Sequence, residues 1–442
     1  MWYNFIRFGD IAAKLNSLAI LSIGLSLLAF VVLSAINLLS SSVYPTFYGK
    51  ADRQLIFLIA HITYTLGILL SPIILAYFGY KLTLILGASG VSATLGALVW
   101  PFVVTVYAAS VTVGFSIAFI ITGGYSLICS ITKPTSRSRN SALIFTTIEV
   151  SQFLSNCLMY FTIEFSKTRS FTYITTGTLL LVAVIGSVFI LLTKSPEHKD
   201  SEIISGRQRI YDEWVQFIGI TTKTEVLLFL PMFFYTGALI ALLQGNYGTW
   251  PTFTLEVMNY GIDFGTICSL TITTSECVCG VVLILAGIEI EPLGRAFTAT
   301  LGFIFQGVAS FFLIGLVPKD GTFSSALMSE ELANSTIILI ILMAVLLGFG
   351  VALIMTQVYA KLMEQYPCAP AAAITIFKTV QAIGVFTALY YSTLITLPYQ
   401  STVCLLLGLV AIFCFVFMER AINDYCEESM NYQTRASEST AI

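Results

Sequence analysis

Three side chains in one apolar stretch have the types and spacing to do chemistry. Glu149, Gln152 and Asn156 fall at i, i+3 and i+7 in a run that is otherwise apolar from Ala142 to Ile163, so they share one helical face. Tyr160 extends that face outward and Phe145 inward. At 1.5 Å per residue, Glu149 lies about 10 Å in from the inner end of the run. A charged group at such depth costs about 2.5–3.5 kcal/mol on insertion scales, so it faces a cavity or a partner. Two roles fit Glu149. It is a proton, cation or substrate contact, or it is a structural carboxylate held by hydrogen bonds or an ion pair.

Three more ionisable groups sit in apolar runs. Lys378 lies at the depth of Glu149 in another run, one turn before Gln381. If both side chains point inward, Glu149 and Lys378 pair, and each lowers the cost of burying the other. That pair serves as a gate or as a staple. Glu276 lies in T-I-T-T-S-E-C-V-C, about 18 Å from the outer end of its run, as a lone carboxylate near the midplane. Thr273 shares its face, and Gly280 leaves room one turn on. His61 titrates near neutral pH if it is reachable, and is otherwise a hydrogen-bonded core histidine.

The elements that must carry these groups follow from composition. The chain has 442 residues, 57% hydrophobic and 10% charged, with mean hydropathy +0.89. A soluble chain is about a quarter charged, so this is a polytopic membrane protein, and the lipid bilayer is its first partner. A span needs about 20 apolar residues. Twelve runs qualify, near 17–39, 55–78, 82–100, 104–128, 142–163, 171–192, 226–243, 264–286, 296–316, 336–357, 372–395 and 401–418. The first is read as a retained span rather than a removed signal. The polar segment 194–224 holds five Lys/Arg and five Asp/Glu and divides the runs six and six. The expected organisation is a six-helix bundle over 1–193, a cytoplasmic linker over 194–224, a second bundle over 225–420 and a cytoplasmic tail over 421–442.

Placing both termini in the cytoplasm puts fifteen of the 21 Lys and Arg on the inner side and five on the outer side, with Lys378 in a span. That agrees with the positive-inside rule. The same topology places the one N-x-S/T sequon, at Asn334, in an outer loop, where glycosylation can occur. Trp100 and Trp250 then sit at the outer boundary.

The two halves are related. G-F-S-I-A-F-I-I-T-G-G-Y (Gly114–Tyr125) matches G-F-G-V-A-L-I-M-T-Q-V-Y (Gly348–Tyr359). F-G-Y-K-L-T-L-I-L-G (Phe78–Gly87) matches L-G-R-A-F-T-A-T-L-G (Leu293–Gly302). I-F-T-T-I-E (Ile144–Glu149) matches I-F-K-T-V-Q (Ile376–Gln381). Three matches in equivalent runs, in order, indicate parallel six-helix repeats. The expected fold is therefore all-α and membrane-embedded, the major facilitator fold, with twelve transmembrane helices in two six-helix pseudo-repeats.

Tyr107–Tyr125, the following R-S-R-N-S (Arg137–Ser141) and the run to Asn156 resemble the uncoordinated-93-like branch of the major facilitator superfamily. The resemblance is best over roughly residues 55–165. The branch shows a tryptophan before the Thr of the fourth span and a glutamine soon after; here those places are Ile121 and Gly124. The resemblance implies a twelve-helix membrane protein, with some relatives acting as channel regulators or trafficking chaperones.

Thr122, Tyr125, Thr356, Gln357 and Tyr359 fall on the inner parts of the fourth and tenth spans, which border the central cavity in this fold. They suit a solute contact or a closing inner gate, or plain interhelical hydrogen bonding. Gly87, Gly90 and Gly96 are read as packing contacts. Arg137 and Arg139 are placed to form inner-face salt bridges or to hold anionic headgroups. The loops at Gly79–Lys81 and Gly294–Arg295 resemble the superfamily's inter-helix motif without its full charge set.

Small net charge, −3, argues against a nucleic-acid partner. No phosphate-cradling loop, H-E-x-x-H or catalytic serine context occurs, so the chain is not read as an enzyme, and no cofactor is expected. Cys277-Val-Cys279 puts two thiols on different helix faces, a poor start for a metal site. Two functions remain. One is a secondary transporter of a small solute or proton by alternating access, with Glu149 or Glu276 as coupling group. The other is an accessory protein that controls a membrane channel or receptor.

Overall fold

The computed structural model describes residues 2–40, 53–99, 102–133, 136–165, 169–193, 206–243, 264–290, 294–316, 330–367, 369–392 and 394–440. Twelve helical elements cover them: α1 (Trp2–Ser40), α2 (Arg53–Val99), α3 (Val103–Ile131), α4 (Arg137–Phe165), α5 (Arg169–Leu192), α6 (Gly206–Thr221), α7 (Thr224–Ile240), α8 (Phe264–Ile290), α9 (Arg295–Leu316), α10 (Glu330–Gln365), α11 (Pro370–Ser392) and α12 (Leu397–Thr440).

Eleven stretches among the described residues are long and apolar enough to cross a bilayer, and one of them, Leu55–Val99, runs 45 residues. About 20 residues make one crossing. α2 breaks at Gly79, whose φ of 74° and ψ of 172° are not helical, so this stretch crosses twice. Twelve crossings result. Gly79 and Gly294 are the two positive-φ glycines among the described residues. They occupy matching places in the repeat, each at the sharp turn that opens a span, a conformation that costs a side-chain-bearing residue energy.

Many hydroxyls in the spans are satisfied within their own helices. Thr122 donates to the Ala118 carbonyl at 2.7 Å, Thr146 to Ala142 at 2.7 Å, and Thr356 to Ala352 at 2.8 Å. Such back-bonding lets a hydroxyl sit in a medium without water. Leu285 and Phe311 remain 79% and 73% exposed, outward faces suited to lipid.

Helix contacts follow the duplication. Between halves, α4 packs on α8 and α2 on α11, while α10 meets α4 and α3 meets α11. Each arrangement becomes the other when the repeats are exchanged. Glycines set the approach distances. A Cβ at Gly90 would come 2.3 Å from Ser116 Oγ, and one at Gly87 2.7 Å from Ile120, so these close α2 onto α3. Gly96, expected to do the same, faces open space.

Segment 194–224 contains the sixteen-residue helix α6, packed against α2 and α11. Asn334, expected in a loop, falls inside α10, which starts at Glu330; its side chain lies outside the described residues. Trp100 and Trp250 also lie outside them.

Candidate functional site: a carboxyl pair between the two halves

Glu149 on α4 and Glu276 on α8 are brought together by small residues. Gly280, one turn beyond Glu276, faces Thr146, three residues before Glu149. A Cβ at Gly280 would lie 2.1 Å from Thr146 Oγ1, so only glycine allows this approach. On the other side, a Cβ at Gly348 of α10 would lie 2.6 Å from the Ile272 carbonyl and 3.4 Å from the Glu276 amide. Held this way, the two carboxyl groups come within hydrogen-bonding reach of each other. An ionised carboxylate only accepts, so a hydrogen bond between them requires a proton on one of the pair. Glu276 is 6% exposed, and Glu149 is half-buried.

The expected Glu149–Lys378 pair is therefore corrected. Among the described residues, the ion pairs within 4.0 Å do not include Lys378. Its ammonium donates to Gln381 Oε1 at 2.8 Å and stands 4.7 Å from the Phe377 ring centre and 5.4 Å from that of Tyr359. Its charge still reaches Glu149. Lys378 and Gln381 stand at i and i+3 on one helix, so the local bond forms more readily than a bond across halves. Nor is Glu276 lone, as its sequence position suggested; its partner is Glu149.

Gln381, the repeat counterpart of Glu149, is 4% exposed and donates to Thr236 Oγ1 on α7 at 3.1 Å. Gly237 and Gly384 close α7 onto α11 here, with a Cβ at Gly237 falling 2.0 Å from the Gln381 carbonyl. At the centre, the repeat-equivalent rings of Tyr125 and Tyr359 lie 5.8 Å apart, and Tyr359 meets Phe377 edge-on at 5.6 Å.

The other sequence candidates distribute around this cluster. Gln152 donates to Asn156 Oδ1 at 3.1 Å, and Asn37 of α1 reaches Asn156 at 3.5 Å and Ser155 at 2.9 Å. This amide ladder ties α4 to α1. Asn37 was not singled out, although a carboxamide in the first apolar run is visible in the sequence. Thr122, Thr356 and Gln357 are buried. Gln357 donates to Thr356 at 3.3 Å, so these groups bond locally rather than line an open channel. His61 lies apart, between α2 and α11. Its Nδ1 is 3.0 Å from the Phe57 carbonyl, and its ring meets those of Phe57 and Phe386.

Sequence reasoning missed a charge network where α9 begins and α10 ends. Arg295 pairs with Glu364, Lys361 lies 3.6 Å from Glu364, and Lys361 lies 2.7 Å from Glu419. Lys361 and Glu419 are buried, at 3% and 7% exposed. Arg137, from the first half, acts on Glu364 by charge. Lys361 lies beyond the apolar run that ends near 357, in the last turns of α10.

An apolar cavity of about 70 Å³ lies in the first half, lined by Leu25, Ala29, Val32, Ile121, Gly124 and Tyr125 among others. Ile121 and Gly124 are the two departures from the larger residues of the resembled branch. Tyr125 connects this cavity to the central cluster. Among the described residues, no group of three or more His, Cys, Asp and Glu is arranged to hold a metal.

Comparison with known proteins places the chain. A family model described as ion channel regulatory protein UNC-93 matches residues 55–416. The chain is 23% identical over 436 residues to the UNC93-like protein MFSD11 of Xenopus laevis, covering 92% of this chain and 96% of that protein. Its counterpart in Xenopus tropicalis is 22% identical. Among solved structures, the major facilitator superfamily proton:xylose symporter XylE bound to 6-bromo-6-deoxy-D-glucose superposes with a TM-score of 0.70 at 12% identity, covering 92% of this chain and 96% of that one. The human organic anion transporter MFSD10 (TETRAN) gives 0.65 at 14% identity, covering 91% and 99%. At these identities the likeness shows the fold alone, the transporter-like major facilitator fold of a multi-pass membrane protein. Taken with the match over most of its length, the chain belongs to the UNC-93 family.

Proposed function

We propose that this protein is a secondary transporter of a small solute, working by alternating access with the Glu149–Glu276 pair as its coupling group. The observation that carries this reading is the meeting of two carboxyl side chains, one from each half, at the close α4–α8 contact. A shared proton holds the halves together there. Loss of that proton leaves two carboxylates facing each other in a low-dielectric site, where like charges repel strongly. Rocking of the halves is then linked to proton entry and exit. Lys378, within charge reach of Glu149, offsets one negative charge and limits the cost of the ionised state. The apolar cavity beside Tyr125 suits a solute with an apolar body. Both termini lie in the cytoplasm on this reading, and Asn334 on the opposite side is open to glycosylation.

The test is flux in liposomes. Purified protein with a pH-sensitive dye inside the vesicles is challenged with a broad solute panel under an imposed proton gradient. Solute-dependent proton movement that Glu149→Gln and Glu276→Gln each abolish is the expected result. Absence of any flux, with both variants indistinguishable from the parent, ends the proposal.

A second reading is an accessory protein that binds a membrane channel or receptor and controls its activity or trafficking. The description of the matched family supports it. Co-purification separates the two. A stoichiometric membrane partner whose surface level falls when this protein is removed supports the accessory role, and repeated isolation of the chain alone counts against it.

A further inference from the structure

Helix α6 is inside-out for a helix that meets water. Tyr211, Trp214, Val215 and Ile218 are 64%, 38%, 50% and 59% exposed. They fall at i, i+3, i+4 and i+7, so they form one continuous outward stripe. The acidic pair Asp212 and Glu213 is half-buried instead, and Glu213 Oε2 is enclosed without a hydrogen-bond partner among the described residues. Ile220 and Phe217 pack into the bundle. A soluble surface helix shows the reverse distribution.

The position of α6 identifies what covers the stripe. Only Thr222 and Lys223 separate it from α7, so its end is held at the depth where a span begins. It packs on α2, where Glu213 lies within charge reach of Tyr80, the residue after the Gly79 turn. Around that turn, Tyr77, Phe78 and Leu82 are 65%, 41% and 52% exposed, and Leu227 on α7 is 53% exposed. The stripe therefore continues the lipid-facing surface of the spans. Trp and Tyr at this level are the residues that settle at a bilayer's headgroup boundary.

We propose that α6 lies in the plane of the membrane, with Tyr211, Trp214, Val215 and Ile218 set into the headgroup–acyl boundary of the adjacent leaflet. The occupant of the stripe is the lipid surface itself. Because α6 also touches α11 of the second half, the leaflet holds a strap that spans both halves. Helices of this kind bind through buried apolar area.

Trp214 reports directly. The full chain is placed in lipid nanodiscs, and its emission is compared with that of Trp214→Phe, with Trp214→Tyr as a second reference; the difference isolates Trp214. The expected difference spectrum is blue-shifted, loses most of its intensity to lipids brominated near the top of the acyl chain, and is insensitive to aqueous iodide. Quenching by iodide without quenching by brominated lipid means the stripe faces water and overturns the proposal. Insensitivity to both means a second copy or another protein covers it, which overturns it equally.

Discussion

The rings of Tyr125 and Tyr359 lie 5.8 Å apart at the centre of the molecule, although the two residues are equivalent positions of an internal repeat. Equivalent residues touch only where the pseudo-symmetry axis passes between them. Around that contact the equivalent helix pairs α4–α8 and α2–α11 close the two halves on each other. On one side the interface holds Glu149 against Glu276, and on the other Lys378 bonds to Gln381. The duplication is preserved in the backbone and broken in the charges.

The α4–α8 approach depends on Gly280. Gly280→Ala forces a methyl against Thr146 Oγ1, which is fixed by its bond to the Ala142 carbonyl. Overpacking of this kind costs about 1–3 kcal/mol. Thermal unfolding of Gly280→Ala, Thr146→Ala and the double variant in detergent checks this. The double variant is expected to regain most of the loss, and simple additivity would show that the two residues do not compete for space.

The Lys361–Glu419 pair is expected to be costly to break and cheap to replace. Glu419→Gln neutralises the 2.7 Å partner of the 3% exposed Lys361 ammonium and leaves it Glu364 at 3.6 Å, a loss expected below the about 3–5 kcal/mol of a buried charge left with no partner. Lys361→Met combined with Glu419→Leu is expected to lie near the parent in stability. Denaturation midpoints of the three proteins decide it.

Docking of α6 is expected to depend on pH through Glu213. Burial raises this carboxyl above the usual carboxylate range, and neighbouring Asp212 raises it further. A group whose folded value is raised contributes stability that is complete below its unfolded value and lost as pH rises through the folded one. Hydrogen exchange over residues 206–221, corrected for intrinsic rates, should therefore be most protected in mild acid and less so as pH climbs. Glu213→Gln should flatten the profile.

Much of this architecture was legible in the sequence. The twelve apolar runs correspond to the crossings, and the aligned glycines Gly79 and Gly294 both prove to have positive φ. The partner of Glu149 was not readable. Lys378 and Glu276 are both within range of a side chain at that depth, and the choice rests on Gly280 and Gly348, which let α8 come closer. Close approach between helices far apart in sequence leaves no mark in periodicity. α6 escaped notice for a different reason. Averaging five basic and five acidic residues over 194–224 concealed the Tyr211–Trp214–Val215–Ile218 spacing, which is helical in plain view.

The carboxyl pair is most directly tested by infrared spectroscopy of the protein in bilayers at neutral pH, without any solute. A protonated carboxyl bonded to its neighbour gives a C=O stretching band distinct from that of an ionised carboxylate. The expected result is one such band in the parent that is lost in Glu276→Gln, the more buried member at 6% exposed, and shifted in frequency in Glu149→Gln, where the bonding partner has changed. A parent with no protonated carboxyl band, or a band unmoved in both variants, would contradict the shared proton between the two halves.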